Sequence, residues 1–168
     1  SIGFSKYGKP AQLKKTEVPY PHGFDASKNV VIKVHASSVN PVDKILLSGD
    51  LKLVFPVAEF PHVISYDVAG VVEKADSKGV FSVGQPVFAR VWGDVDDDKK
   101  TPWFRGAMAE FCVARTSDVV TKPDSISFEE AASIPLAGMT AFQVLKESGL
   151  KEGDSVFISA GAGGGGTM

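Results

Sequence analysis

A mostly β domain followed by the opening of an α/β unit is the fold class this sequence predicts, and three observations predict it. Over the first ~120 residues, short β-branched runs alternate with Gly and Pro punctuation. The texture then becomes helical after Lys122-Pro-Asp-Ser-Ile126. Finally, Asp154-Ser-Val-Phe-Ile-Ser-Ala160 is an apolar stretch that leads straight into Gly161-Ala-Gly-Gly-Gly-Gly166. A strand, a tight glycine turn and a helix N-terminus form the entry of a dinucleotide-binding unit, and Gly161, Gly163 and Gly166 have the G-x-G-x-x-G spacing. By composition alone the same run also reads as a flexible glycine-rich tail.

In chain order, Val30-Val-Ile-Lys-Val-His-Ala36 is suited to a strand, and Val68-Ala-Gly-Val-Val-Glu-Lys74 to another in which Gly70 permits a bend or a close backbone approach. Gln85–Trp92 and Ala107–Ala114 are predicted as two more. Between the first two, Asn40-Pro-Val-Asp-Lys-Ile-Leu-Leu-Ser-Gly49 is predicted as a short helix, with Pro41 in its first turn and Gly49 ending it. Asp94-Val-Asp-Asp-Asp-Lys-Lys100 reads as a solvated loop, because its dense like charges repel and no distal Glu completes a calcium pattern. Ser127 and Glu130 form a capping box for a helix from Phe128 that Pro135 interrupts. A second helix runs from roughly Gly138 to Ser148 and places Ala141, Val144 and Leu145 on one face.

Composition excludes several function classes. The 18 Lys+Arg nearly balance the 20 Asp+Glu, so no basic stripe argues for nucleic acid. No apolar run approaches the ~20 residues of a membrane span. A lone Cys112 rules out an internal disulfide framework or a Cys-rich zinc site. His22, His35 and His62 have no ligand spacing. No secretory signal opens the chain, which predicts a soluble cytoplasmic protein, or an organellar one if a transit peptide preceded Ser1.

Five segments, in order, carry a resemblance. They are Ala36-Ser-Ser-Val-Asn-Pro-Val-Asp43, Phe60-Pro-His-Val-Ile-Ser-Tyr-Asp-Val-Ala-Gly-Val-Val72, Gly84-Gln-Pro-Val-Phe88, Gly106-Ala-Met-Ala-Glu-Phe111, and Ser127 to Ala141 leading to Glu152-Gly-Asp and the glycine loop. The set resembles the medium-chain dehydrogenase/reductase superfamily, in its zinc-independent quinone oxidoreductase and enone reductase branch. The resemblance implies an alcohol-dehydrogenase-like (GroES-like) β-barrel over residues 1–122. Residues 123–168 would hold connecting helices and then the first strand and glycine loop of an incomplete Rossmann domain.

What the resemblance implies about the site is as follows. Zinc-dependent relatives place Cys where this chain has Asn40, and Gly-His-Glu where it has Ser65-Tyr66-Asp67, so no catalytic zinc is expected. The cofactor is NADPH, with NADH as the alternative, and the substrate is a quinone or an α,β-unsaturated carbonyl. Asn40 lines the nicotinamide pocket, or is simply a turn-forming Asn before Pro. Thr140 lies near the cofactor phosphates, or is a helix-lining hydroxyl. Gly161, Gly163, Gly164, Gly165 and Gly166 bind the pyrophosphate, although relatives usually carry Val at the position of Gly165. Asp43 and Asp67 look structural, the first bridging a loop to backbone and the second facing the next domain. Enoyl-thioester reductases use a Tyr where this chain has Leu51, which leaves Tyr66 as the nearest proton donor, or as packing at the domain seam. Trp92 and Trp103, with Phe104, wall the substrate cleft or merely anchor loops. The parent protein is expected to be a homodimer. A non-catalytic member that keeps the fold for partner binding or scaffolding is the alternative.

Overall fold

The computed structural model describes residues 1–22, 24–54, 56–57, 60–91 and 106–168. Two antiparallel sheets and three α-helices build it. The larger sheet has five strands: β3 (Asn29–Ser38), β5 (Asp67–Lys74), β6 (Pro86–Arg90), β7 (Phe111–Arg115) and β8 (Val119–Thr121), in the order β7-β3-β5-β6-β8. Its curl makes a half-barrel. The smaller sheet joins β1 (Ile2–Phe4), β2 (Lys14–Lys15) and β4 (His62–Val63) in the order β2-β1-β4. The fold is thus mostly β, as the sequence predicts.

The two long strands do what their composition dictates. β-Branched residues fit the pleated surface, and Val30, Ile32, Val68, Val72 and Val87 close into one core with Phe81, Cys112 and Val119. Burying each such side chain contributes about 1.5–3 kcal/mol. β3 and β5 pair from Val31↔Lys74 to Ser38↔Asp67, with an irregularity between Val34 and Ala36. Gly70 lies there because a Cβ would overlap the Lys33 carbonyl oxygen. That crossing delivers Ser38 and Asp67 to the same end of the sheet.

Helix α1 (Pro41–Ser48) has Pro41 in its first turn, and Gly49, with φ 75°, closes it in the left-handed conformation that glycine adopts freely. Helix α2 (Phe128–Ser133) has the capping box read from the sequence: Glu130 N–H donates to Ser127 Oγ at 3.1 Å, and Ser127 N–H to Glu130 Oε2 at 2.7 Å. Its small residues Ala131 and Ala132 lie flat on Ala69 of the sheet, flanked by Phe88, Ile126 and Phe128.

Three sequence expectations need correction. Pro135 does not merely interrupt a helix; it is the first residue of α3 (Pro135–Glu147), where its missing N–H and fixed φ cost nothing. The strand expected from Ala107 pairs only from Phe111, because Ala107 and Met108 direct their N–H groups to Ser65 and Ile64 carbonyls instead. The apolar run before the glycine loop belongs to no strand: Val156, Phe157 and Ile158 are 56%, 91% and 53% exposed. A strand suited to burial in a parallel sheet is held by its neighbours' ladder, and no strand of the described residues lies beside it.

Amide hydrogen exchange should therefore divide the chain. β3 and β5 are expected to exchange only through global unfolding, and residues 155–158 to exchange nearly as an open chain. Strong, concentration-independent protection of Val156 to Ile158 in the monomer would contradict this.

Candidate functional site

The candidate site is the corner where β3 ends, α1 begins and β5 begins. Asn40 precedes Pro41 in an extended conformation, and its N–H donates to Asp43 Oδ2 at 2.7 Å. The other oxygen of Asp43 accepts the Ser65 N–H at 2.7 Å. Ser65 is buried with φ 77°, a left-handed conformation costing a non-glycine residue roughly 1–2 kcal/mol. The bond from Asp43 offsets this, as does the Ser65 hydroxyl, which donates to the Asp67 carbonyl at 3.1 Å. Glycine stands here in the zinc-dependent pattern, and the backbone conformation explains why.

Asp67 is fully buried. Its Oδ2 accepts from Ser38 Oγ at 2.8 Å and from Asn40 Nδ2 at 2.8 Å, while its Oδ1 accepts from Leu136 N–H at 2.9 Å. Burial pushes its carboxyl up; the donors Asn40, Ser38 and Leu136 and the positive charge of Arg90, its ladder partner on β6, pull the other way. Asp43 is likewise raised by burial, against the two N–H bonds it accepts. Both carboxylates therefore act as structural acceptors here, the second reaching across to α3.

This network decides which way the Asn40 amide faces. Amide orientation follows from hydrogen bonding, and a carboxylate only accepts, so the NH2 group turns inward to Asp67. Its second contact is Ser38 Oγ at 3.4 Å. The oxygen of the same amide faces the start of α1, where Asn40 and Asp43 form a reciprocal capping box.

Tyr66 stands between these two anchored residues, and its carbonyl accepts the Val91 N–H at 2.6 Å. Its phenol is pushed up to about 12, first by burial and then by the Asp43 charge, with Arg90 opposing. It stays protonated throughout the physiological range, a standing hydrogen-bond donor.

The other predicted residues lie along α3 and beyond it. Thr140 donates its hydroxyl to Leu136 O at 2.7 Å, the bond of a helix-lining hydroxyl. The glycine loop folds back on itself through Gly163 N–H to Ala160 O at 2.8 Å and Gly166 N–H to Gly163 O at 3.0 Å. A Cβ at Gly166 would strike the Gly161 backbone, and one at Gly164 would meet Ala137 of α3 at 3.7 Å. The loop thus sits against the beginning of α3. Gly165 has nothing within 4 Å of a Cβ position, so a valine there would find no packing partner. Trp92, Trp103 and Phe104, and the acidic loop, lie outside the described residues. The chain that flanks them is pinned to this corner, Val91 N–H to Tyr66 O and Gly106 N–H to Val63 O at 2.9 Å.

Sequence reasoning missed Ser38 and Arg90. An arginine inside the apolar run Pro86-Val-Phe-Ala-Arg-Val91 was the available signal, since a charge within such a strand needs a counter-charge. Among the described residues no three His, Cys, Asp or Glu side chains converge as a metal set. No described helix is long and apolar enough to cross a membrane.

A curled antiparallel half-barrel with helices packed on β3, β5 and β6 is the catalytic-domain class of the alcohol dehydrogenases. Residues 26–124 match the alcohol dehydrogenase GroES-like domain. The chain belongs to that family, within the medium-chain dehydrogenase/reductase superfamily. It is 36% identical over 140 residues to the 2-methylene-furan-3-one reductase of Solanum lycopersicum, covering 83% of this chain and 35% of that protein. It is 33% identical over 187 residues to the human NAD(P)H oxidoreductase RTN4IP1, mitochondrial, covering 97% and 43%. The solved quinone oxidoreductase of Coxiella burnetii superposes with a TM-score of 0.82 at 32% identity, covering 99% of this chain and 50% of that one. The chain thus spans half or less of the length of these relatives.

Proposed function

We propose that this chain supplies the substrate-side domain, residues 1–122, and the beginning of the cofactor domain, residues 123–168, of an NADPH-dependent reductase of quinones or α,β-unsaturated carbonyls. The observation that carries the reading is the corner itself. Where zinc-dependent relatives place metal ligands, an amide, Asn40, is hydrogen-bonded to a buried carboxylate, Asp67, which also accepts from Ser38 and Leu136, and the Tyr66 phenol stands between Ser65 and Asp67 in the chain. A carboxylate already accepting three such bonds, beside an asparagine, is no zinc site. The family match ending at residue 124 and the NAD(P)H oxidoreductase and quinone oxidoreductase names of the relatives support the same reading.

The glycine loop has the spacing of a dinucleotide loop and no side chains to keep a pyrophosphate from the backbone, and Gly166 lies too close to Gly161 for a Cβ. Its Gly163 and Gly166 N–H groups must, however, release their carbonyl partners to face a phosphate. When bound, the nicotinamide supplies the hydride. Gly161, Gly163, Gly164, Gly165 and Gly166 would hold the pyrophosphate, with Thr140 near it. Asn40 would line the nicotinamide pocket. Tyr66 donates to the substrate carbonyl and carries the proton for enone reduction. By the family resemblance, Trp92 and Trp103, which lie outside the described residues, would wall the substrate. The complete protein is a homodimer, cytoplasmic or, as in the human relative's name, mitochondrial.

The test is calorimetry on the protein containing this chain with a complete dinucleotide-binding domain. Micromolar binding of NADPH, weaker binding of NADH and no stoichiometric zinc by elemental analysis are expected. Failure to bind either nucleotide would favour the scaffolding alternative, and one tightly held zinc per chain would end the zinc-free assignment.

A further inference from the structure

Helix α3 has no cap of its own. Pro135 opens it without an N–H, and Ile134 before it has no side-chain oxygen to offer. The first available donor, the Leu136 N–H, is satisfied from 69 positions away by Asp67. A carboxylate at a helix N-terminus is favoured by the helix dipole as well as by the bond. The other oxygen of the same carboxylate holds the Asn40 amide, and Ser38 shares it. One buried group thus joins the candidate cofactor residue to the helix against which the glycine loop rests.

We propose that Asp67 is a positioning residue that locks the Asn40 amide with its NH2 group turned toward Asp67 and ties that orientation to the seating of α3. The two oxygens serve two separate elements, so neither element can lose its bond without the carboxylate re-aiming toward the other. Arg90, across the ladder from Asp67, is the cation that favours the charged form. The consequence for the cofactor rests on the reading of Asn40 given above; the latch itself does not.

A carboxylate–amide exchange tests the latch without any cofactor. Asp67→Asn leaves one acceptor oxygen for three donors, and exchange of the Leu136 amide should quicken about ten- to a hundredfold, as for a hydrogen bond to a charged acceptor. Asn40→Asp sets two carboxylates face to face and should quicken it too. In the double variant the new amide donates to residue 40 and accepts from Leu136, and the Ser38 hydroxyl donates to the carboxylate at residue 40, so every donor again has an acceptor and only the 40–67 bond reverses. Exchange should return to within about threefold of the native rate, a coupling that independent sites do not show.

If Asp67→Asn alone fails to fold, a folded double variant is the same rescue. Effects that simply multiply, a double variant that does not fold, or a native Leu136 rate in Asp67→Asn would each overturn the latch. In the complete enzyme, Asp67→Asn should raise KM for NADPH at least tenfold while kcat falls less. Rescue of exchange with KM unchanged would uphold the latch and remove Asn40 from the cofactor site.

Discussion

A polypeptide of these 168 residues, mixed with NADPH and a small quinone, is expected to oxidise the nucleotide no faster than protein-free buffer. Hydride transfer needs the nicotinamide held in near-attack geometry, and such positioning is worth roughly 7–11 kcal/mol. Among the described residues, the segment proposed to hold the pyrophosphate is not fixed firmly enough to supply it. Phe157 is 91% exposed beside the loop that must grip the pyrophosphate, and the run from Val156 to Ile158 has no ladder to fix it. Within the loop, the N–H groups of Gly163 and Gly166 are already committed to carbonyls of the same turn, when they should face a phosphate. The measurement is the loss of reduced-nicotinamide absorbance over time. Steady oxidation at rates like those of complete reductases would show that the barrel corner alone holds the ring, and would overturn this account.

What was legible in the sequence follows from range. β3, β5, α1 and the α2 capping box announce themselves through neighbours: β-branched runs, Pro at a helix start, Gly at its end, Ser and Glu three apart. β1, β2, β4 and β8 are two or three residues each, too short for any periodicity, and exist because partners elsewhere pair with them. The run Val156–Ile158 shows the converse: its composition predicts a strand, and without neighbours in register it does not become one.

The site was legible only as residue types. Asn40, Tyr66 and Asp67 could be singled out because a zinc pattern is absent at their positions, but which atom each presents depends on contacts 27, 29 and 69 positions apart. Only the β3–β5 register brings Ser38 and Asp67 together, and only Asp67 turns the Asn40 amide inward. Thr140 and Gly165 illustrate the same limit: the hydroxyl is committed to Leu136, and the extra space at Gly165 has nothing to fill against.

In the complete enzyme, Asn40→Ala and Tyr66→Phe should separate positioning from proton delivery. On the proposed role Asn40 touches every productive complex through the nicotinamide, so its loss should lower kcat/KM about 10²-fold for quinones and enones alike, the cost of a slightly misplaced reactant. Tyr66 differs because it serves one of the two chemistries. Enone reduction leaves an enolate that must gain a proton, and general acid catalysis contributes at least about 10²-fold. Reduced quinones are protonated readily by water. Tyr66→Phe should therefore slow enones about 10²-fold and quinones little. The acidity of the corner gives an independent check. With the phenol pushed up to about 12, its protonated form persists as pH rises through the ordinary value of about 10, so enone turnover should show no loss attributable to Tyr66 until the pH nears 12. An alkaline limb near 10 that vanishes in Tyr66→Phe would mean the phenol is not buried as described. Equal and small effects of Tyr66→Phe on both substrate classes would assign that side chain to packing at the seam between barrel and helix, and the proton would have to come from solvent.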